Sequence, residues 1–219
     1  MSRFIMALVS LVYPALVGAV VFGSAGRWDL PFVWGVLGAL ALLGWAIVAF
    51  CDVGMIRERR SPGSGNQDRI TRPIGGIMLL GSWVLTGLDV GRYQWSLIPQ
   101  AAQFAGLIGY AVSLMGLFWA VRVNPFYSSV VRVQTERGHY PVIVGPYRFV
   151  RHPGYAASLL AMLTGGVALG SWLAMLPLLG FAGLFVRRTL LEDRLLQQEL
   201  AGYAEYAEKV RYRLISGLF

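Results

Sequence analysis

One cysteine and two histidines among 219 residues leave little material for disulfide or metal chemistry. Cys51 alone closes no internal disulfide, and with His139 and His152 it makes too poor a set for a Cys/His zinc site, so no metal is expected. It reads most simply as a small apolar filler at a helix end. Charge is scarce as well. At 14% charged and 56% hydrophobic residues, with a mean hydropathy of +0.58, the chain has too little polar surface to clothe a soluble globule. No internal repeat or low-complexity tract appears, which excludes solenoids and weakens an inverted-repeat transporter reading. A Gly-rich nucleotide loop of the Rossmann kind is also missing, so any nucleotide-like cofactor must be held by the helical bundle itself.

What is present is a series of apolar runs. Residues 4–22 are 19 positions without a charge, enough at 1.5 Å per residue to span about 30 Å of hydrocarbon. Arg3 in front and Gly23, Ser24 and Ala25 behind also resemble a signal peptide, but the run exceeds the usual apolar core of one, and a retained helix is expected. Pro14 is tolerated inside such a span. Residues 32–51 make the second span, with Trp28 and Trp34 at interfacial positions and Gly35 and Ala39 spaced for close helix contact. The five arginines of residues 57–72, mixed with Ser, Pro, Gly, Asn and Gln, read as a loop and not as an element. The third span is expected over 73–88, with Asp89, Arg92 and Pro99 in its exit loop, and the fourth over 101–121.

From Arg122 to Tyr155 the texture turns polar, aromatic and proline-bearing, and residues 130–134 read as either a short strand or a piece lying on the membrane. Residues 156–169 and 173–186 are too long together for one span and short for two. A tight hairpin turning at Gly170, Ser171 and Trp172 is expected, with one tilted helix as the alternative. Residues 187–210 read as a charged interfacial helix with an apolar stripe at Leu196, Leu200, Tyr203, Ala207 and Val210. The expectation is an all-α, polytopic integral membrane bundle of five to six embedded segments with a C-terminal amphipathic helix. It forms one structural domain, in which residues 1–121 supply four transmembrane helices and residues 122–219 a membrane-associated catalytic region.

The net charge of +8 suggests nucleic acid only until charge is placed by topology. With both termini on the cytoplasmic side, Arg27 and Arg92 fall outside and the other 17 of 19 basic residues inside. That bias explains the charge without a nucleic-acid partner. A bacterial-type inner or plasma membrane is the expected location.

Polar density peaks at Gly145-Pro-Tyr-Arg-Phe-Val-Arg-His-Pro-Gly-Tyr155, directly before an apolar run. Taken singly, these residues have ordinary explanations: His152 capping the next helix, Arg148 and Arg151 holding lipid phosphate, Tyr147 and Tyr155 anchoring at the interface. Farther on, Arg188, Glu192 and Leu196 share one helix face, which draws an arginine and the acid pair Glu192 and Asp193 toward the mouth of the bundle. An ordinary juxtamembrane salt-bridge cluster gives the same spacing.

The combination is more telling. Gly-Pro-Tyr and Arg-His-Pro-x-Tyr, followed about 37 residues later by paired acids, then by Gly-Tyr-x-x-Tyr and Val-Arg-Tyr-Arg-Leu-Ile, resembles the isoprenylcysteine carboxyl methyltransferase family, itself similar to the phospholipid N-methyltransferases. The resemblance covers residues 124–219. It departs from the family pattern at Asp193, where Glu is commoner, and at Ser216, where Pro often stands. The resemblance implies S-adenosylmethionine-dependent methyl transfer at the cytosolic membrane face. It also implies a cofactor pocket of Gly145, Tyr147, His152, Tyr155, Glu192 and Asp193. Arg151 and Arg188, with Glu192, are then assigned to the reaction, the arginines orienting an anionic, lipid-like acceptor such as an isoprenylcysteine carboxylate. A carboxylate is already ionised at pH 7, whereas an amine acceptor would need Glu192 or His152 as base. Methylation of a phospholipid amine such as phosphatidylethanolamine is the alternative within the enzyme class. A non-catalytic protein binding anionic lipid or a partner through its basic face is the alternative outside it.

Overall fold

In the computed structural model, which describes residues 3–219, helix is the only regular structure and no strand occurs among the described residues. Arg3–Ser10 (α1) and Val12–Ala25 (α2) form one apolar rod, and Pro31–Phe50 (α3) returns beside it. Thr71–Thr86 (α5) passes into a π-helical turn, Gly87–Tyr93, and Gln100–Val123 (α6) returns again. Pro153–Leu169 (α7) and Trp172–Glu199 (α8) complete the bundle. Five stretches are long and apolar enough to cross a bilayer: Arg3–Ala25, Pro31–Phe50, Thr71–Tyr93, Gln100–Val123 and Trp172–Glu199; α7 is apolar but shorter. Their lipid-facing surface carries large exposed side chains such as Phe4, Leu42, Ile77, Phe104 and Leu176, as a helix immersed in hydrocarbon permits.

The core of the bundle joins Val17, Val21 and Phe22 of α2 to Val33, Val36 and Leu37 of α3, Tyr110 and Leu114 of α6, and Ala161 and Ala168 of α7. Small residues bring backbones together where lipid supplies no hydrophobic drive between helices. At Gly106 a Cβ would stand 2.6 Å from the backbone nitrogen of Ala168, so α6 and α7 meet there backbone to backbone.

Four expectations need correction. The arginine-rich stretch is not all loop, because Val53–Arg60 (α4) is helical. Asp52 caps it by accepting from Met55 N at 2.7 Å, and Met55 and Ile56 bury against Met6, Val48, Cys51 and Val121. Asp89 and Arg92 do not lie in an exit loop but in the π-helical turn. Asp89 is fully buried there because Ser96, through both N and Oγ, and Ser171 Oγ donate to its carboxylate. The hairpin turns at Gly170 (φ 81°) and Ser171, whose Oγ accepts from Ala174 N, but the charged helix that follows is not separate. α8 runs unbroken through Arg187 to Glu199, and the chain bends at Leu200–Gly202 (φ 80° at Gly202) into a short Tyr203–Lys209 (α9). Leu196, Leu200, Tyr203 and Tyr206 still pack as one cluster, so the apolar stripe is satisfied across a bend. Residues 130–134 form neither strand nor helix.

Contacts fix the two ends. At one end Arg3 donates to Ala49 O and Arg60 to Met6 O; at the other Arg92 donates to Ser24 O. Arg27 and Arg92 thus mark the far end, while the segment 124–152, α4 and the end of α8 gather at the first, called the site end below.

Candidate functional site

The Arg-His-Pro segment is bracketed by two elements that its own sequence dictates. Gly145 turns the chain with φ 58° into a 3-10 turn over Gly145–Arg148, and Pro153 opens α7 at a position where its missing N–H costs nothing. Between them Arg151 N donates to Tyr212 O and His152 N to Arg213 O, which pins the C-terminal tail alongside. His152 precedes α7 but makes no side-chain cap; its ring faces elsewhere.

It faces Asp193, which is 0% exposed and the hub of this region. Arg151 donates to it through Nε at 2.7 Å and Nη2 at 2.9 Å, Arg213 Nε at 2.8 Å, Gln197 Nε2 at 2.9 Å and Tyr203 OH at 3.1 Å, with His152 Nε2 at 3.2 Å. Arg151 spends its remaining Nη1 on the carbonyls of Val210 and Arg211. A buried carboxylate is tolerable only when paired and saturated with donors, and this one is. The clasp ties four pieces of chain together: the Arg-His-Pro segment, α8, α9 and the tail.

Glu192, one residue earlier, is half-buried and points differently. It accepts from Tyr155 OH at 2.5 Å, and the same hydroxyl accepts from Arg188 Nε at 2.8 Å. Glu192 borders a cleft with polar and aromatic walls. Its walls come from Asn124, Phe126 and Tyr127 after α6, from His139 to Val142, from Tyr147, from His152 and Tyr155, and from Leu196, Tyr203 and Tyr206. Tyr147 is held by Asn124 Nδ2, which donates to its hydroxyl, and by Tyr206 OH, which donates to its carbonyl. Burial raises the phenols of Tyr147 and Tyr203, and the Asp193 charge raises that of Tyr203 further, so both stay neutral donors. Burial pushes the His139 imidazole down to about 4, and the cations of Arg137 and Arg132 act in the same direction.

A second cavity shares part of the cleft's wall. Tyr127, Ser128 and Tyr155 line both, and the second, of about 370 Å³, reaches into the bundle between Leu79, Leu117, Phe181 and Phe185, with Arg188 among its polar lining residues. Leu79, Leu117, Phe181 and Phe185 in turn border a third, apolar cavity of about 300 Å³ beside Val17, Val36 and Trp83. The three form a series from polar cleft to bundle interior, with Tyr127 and Tyr155 at the first junction.

Of the six residues expected in the cofactor pocket, Tyr147, His152, Tyr155 and Glu192 border the cleft, as does Arg151, which was expected with Arg188 to orient the acceptor. Two of the six do not. Gly145 lies outside the wall, its missing Cβ facing Trp119 and Val123 of α6 at 3.1–3.4 Å, so its part is the turn. Asp193 lies behind the wall, closed off by its own donors, and Arg188 borders the second cavity. Asn124, Tyr127 and His139 were not singled out from sequence, which offered only a generally polar stretch. Tyr203 and Arg213 belong to the Gly-Tyr-x-x-Tyr and Val-Arg-Tyr-Arg-Leu-Ile motifs, and their spacing alone marks neither as a partner of Asp193.

Residues 105–198 match the family model described as the isoprenylcysteine carboxyl methyltransferase (ICMT) family. No curated protein matches the chain. The matched stretch begins within α6 and ends within α8, taking in every expected site residue and leaving out Tyr203, Tyr206 and Arg213. The resemblance to that family therefore extends over residues 105–198, the stretch that carries most of the cleft.

Proposed function

We propose that the protein transfers a methyl group from S-adenosylmethionine to the carboxylate of an isoprenylcysteine-type, lipid-like acceptor. The observation that carries this reading is the junction: a polar cleft with a carboxylate meets an apolar intramembrane cavity across Tyr127 and Tyr155, with Arg188 on the far side.

The residues of the cleft fit the cofactor. Glu192 offers the one acid on the wall, aromatic faces of Phe126, Tyr147 and Tyr155 suit a sulfonium, and the neutral Tyr203 and His139 offer hydrogen-bonding groups to an amino-acid head or a nucleoside. When bound, the cofactor supplies an activated methyl group. The protein's own work is alignment and exclusion of water. Glu192 and Tyr155 hold the cofactor side of the junction; Arg188, fixed through Nε by Tyr155, aims an acceptor oxygen from the other. Arg151, Asp193 and Arg213 act behind the wall as positioning residues for His152 and Tyr203.

A carboxylate acceptor needs no base. An amine does, and the groups available for that are engaged: Glu192 accepts from Tyr155, His152 faces Asp193, and His139 is too weakly basic. This favours carboxyl over phospholipid amine methylation. The concentration of basic residues at the site end supports a cytoplasmic orientation for that end, and for the first and last described residues with it, by the positive-inside rule.

The test is calorimetric titration of S-adenosylmethionine into detergent-purified protein, wild type against Glu192→Gln. Saturable binding that weakens at least about tenfold in the variant is expected, as for loss of one charge-assisted contact. A folded wild type with no saturable binding would overturn the proposal in favour of a non-catalytic lipid-binding role.

A further inference from the structure

Outside the membrane spans, the site end carries an exposed apolar surface that the proposed function leaves unused. Two segments build it. In the turn before α7, Ile143, Val144 and Phe149 are each more than half exposed, and in the tail beyond α9 so are Ile215 and Leu218. The segments are knitted together: Arg151 N donates to Tyr212 O, His152 N to Arg213 O, and Ser216 Oγ to Phe149 O at 3.3 Å. The tail is also closed on itself, because Phe219 O accepts from the N–H groups of Arg213, Leu214 and Ile215. Ile215 and Leu218 are therefore held out by a bonded loop. Apolar side chains gathered this way cost free energy in water, and such patches mark a surface that something covers.

The surroundings say what covers this one. Gly145 lies in the same turn, and a Cβ there would stand 3.1 Å from Trp119 Nε1 and 3.3 Å from Val123, on the last turns of the α6 span. Apolar α7 starts at Pro153, directly after Phe149 to His152. The patch thus sits at the depth where two helices leave the hydrocarbon, and exposed Trp119 continues the lipid-facing surface into it. Arg122, Arg148 and Arg211 are exposed beside it, with the Tyr212 ring, which is the company of cations and aromatics that a headgroup layer accepts. Glu205 and Glu208 of α9 are exposed as well, so apolar contact carries the attachment and the arginines rim it. We infer that the 143–149 turn and the 212–219 tail form one interfacial anchor whose partner is the lipid of the bilayer surface at the site end. Arg213 in that tail donates to Asp193, which places the anchor one hydrogen bond from the clasp behind the cleft. The inference does not depend on the reaction.

The experiment uses the full chain in nanodiscs of phosphatidylcholine and phosphatidylglycerol, in a Cys51→Ala background. A nitroxide is attached at Phe149→Cys, at Leu218→Cys and, as a control on α9, at Glu208→Cys. Collisions with oxygen, which dissolves in hydrocarbon, and with a water-soluble nickel chelate read the depth of each label. The labels at 149 and 218 are expected about 5–10 Å into the boundary between headgroups and acyl chains, the depth of interfacial apolar faces, and the label at 208 in water. The unsubstituted protein gives a second reading: a phospholipid with a photoreactive group near the head of its acyl chain should cross-link within 143–149 and 212–219, as mapped by mass spectrometry. Nickel contact at 149 and 218 equal to that at 208 overturns the anchor, and so does an absence of cross-links in the unsubstituted protein. Dipolar broadening between labels that disappears on dilution with unlabelled protein overturns it too, because a second copy of the chain then covers the patch.

Discussion

Replacing Asp193 by Asn tests the division of labour between two adjacent acids. The amide keeps the size of the side chain and one acceptor oxygen but removes the charge. In the native clasp that charge answers Arg151, whose side chain is 4% exposed, and Arg213, and it accepts from Tyr203 and Gln197 as well. Breaking a buried ion pair from one side costs about 3–5 kcal/mol, because the partner stays behind uncompensated. For a chain of about this size each kcal/mol moves the unfolding midpoint by about 2–4 °C, so the expected drop is about 6–20 °C. Glu192→Gln removes a charge from a half-buried position on the cleft, leaves the Asp193 clasp intact, and should move the midpoint far less while weakening cofactor binding. The assay is thermal unfolding in detergent, followed by tryptophan fluorescence, run beside the calorimetric titration. If Asp193→Asn melts within about 2 °C of wild type yet loses S-adenosylmethionine binding, Asp193 touches the cofactor and the reasoning from its saturated hydrogen bonds is refuted.

Gly154→Ala places a Cβ 2.6 Å from Cε2 of Tyr127, at the junction between cleft and cavity. It should cost about 1–3 kcal/mol of overpacking and lower methyl transfer more than it lowers cofactor affinity, as steady-state kinetics would read. Arg132→Ala leaves Glu58, 7% exposed, without the guanidinium that binds it at 2.9 and 3.0 Å, and a loss of about 3–5 kcal/mol is expected, with new proteolytic cleavage within residues 61–69 as the readout. His139 should remain neutral down to about pH 4, its folded pKa lying below the unfolded 6.5 because burial and two arginines oppose the charge. The sign follows directly. Its contribution to stability is present in full above pH 6.5 and is lost as pH falls from there toward 4, so histidine NMR titration should show one ring with a midpoint near 4.

The spans were legible in sequence because hydrocarbon demands length and apolarity, and both are local properties. Residues 4–22, 32–51 and 101–121 anticipate their helices to within a few positions. The failures share one cause: local reading misplaces a polar residue whose partner is remote. Asp89 looks like the end of a span until Ser171, 82 residues away, is found donating to it. The Arg57–Arg60 stretch looks like a solvated loop until Glu58 is seen paired with Arg132 and receiving Ser128 Oγ. At the site the same rule divides Glu192 from Asp193. Spacing put both on the mouth of the bundle; only the donors converging on Asp193 from residues 151, 197, 203 and 213 show that it faces inward.

The remote pairings also explain why the cleft wall and the N-terminal half form one apparatus. Segment 127–132 lines the cleft, yet it is held from the opposite half of the chain. Glu58 takes Arg132 and Ser128, Arg59 O accepts from Ser129, and Val131 O accepts from Gln67 N. Tyr127, at the head of that segment, has Arg59 over its ring on one side and the bare backbone of Gly154 against it on the other. α4 therefore cannot move without moving the wall between cleft and cavity.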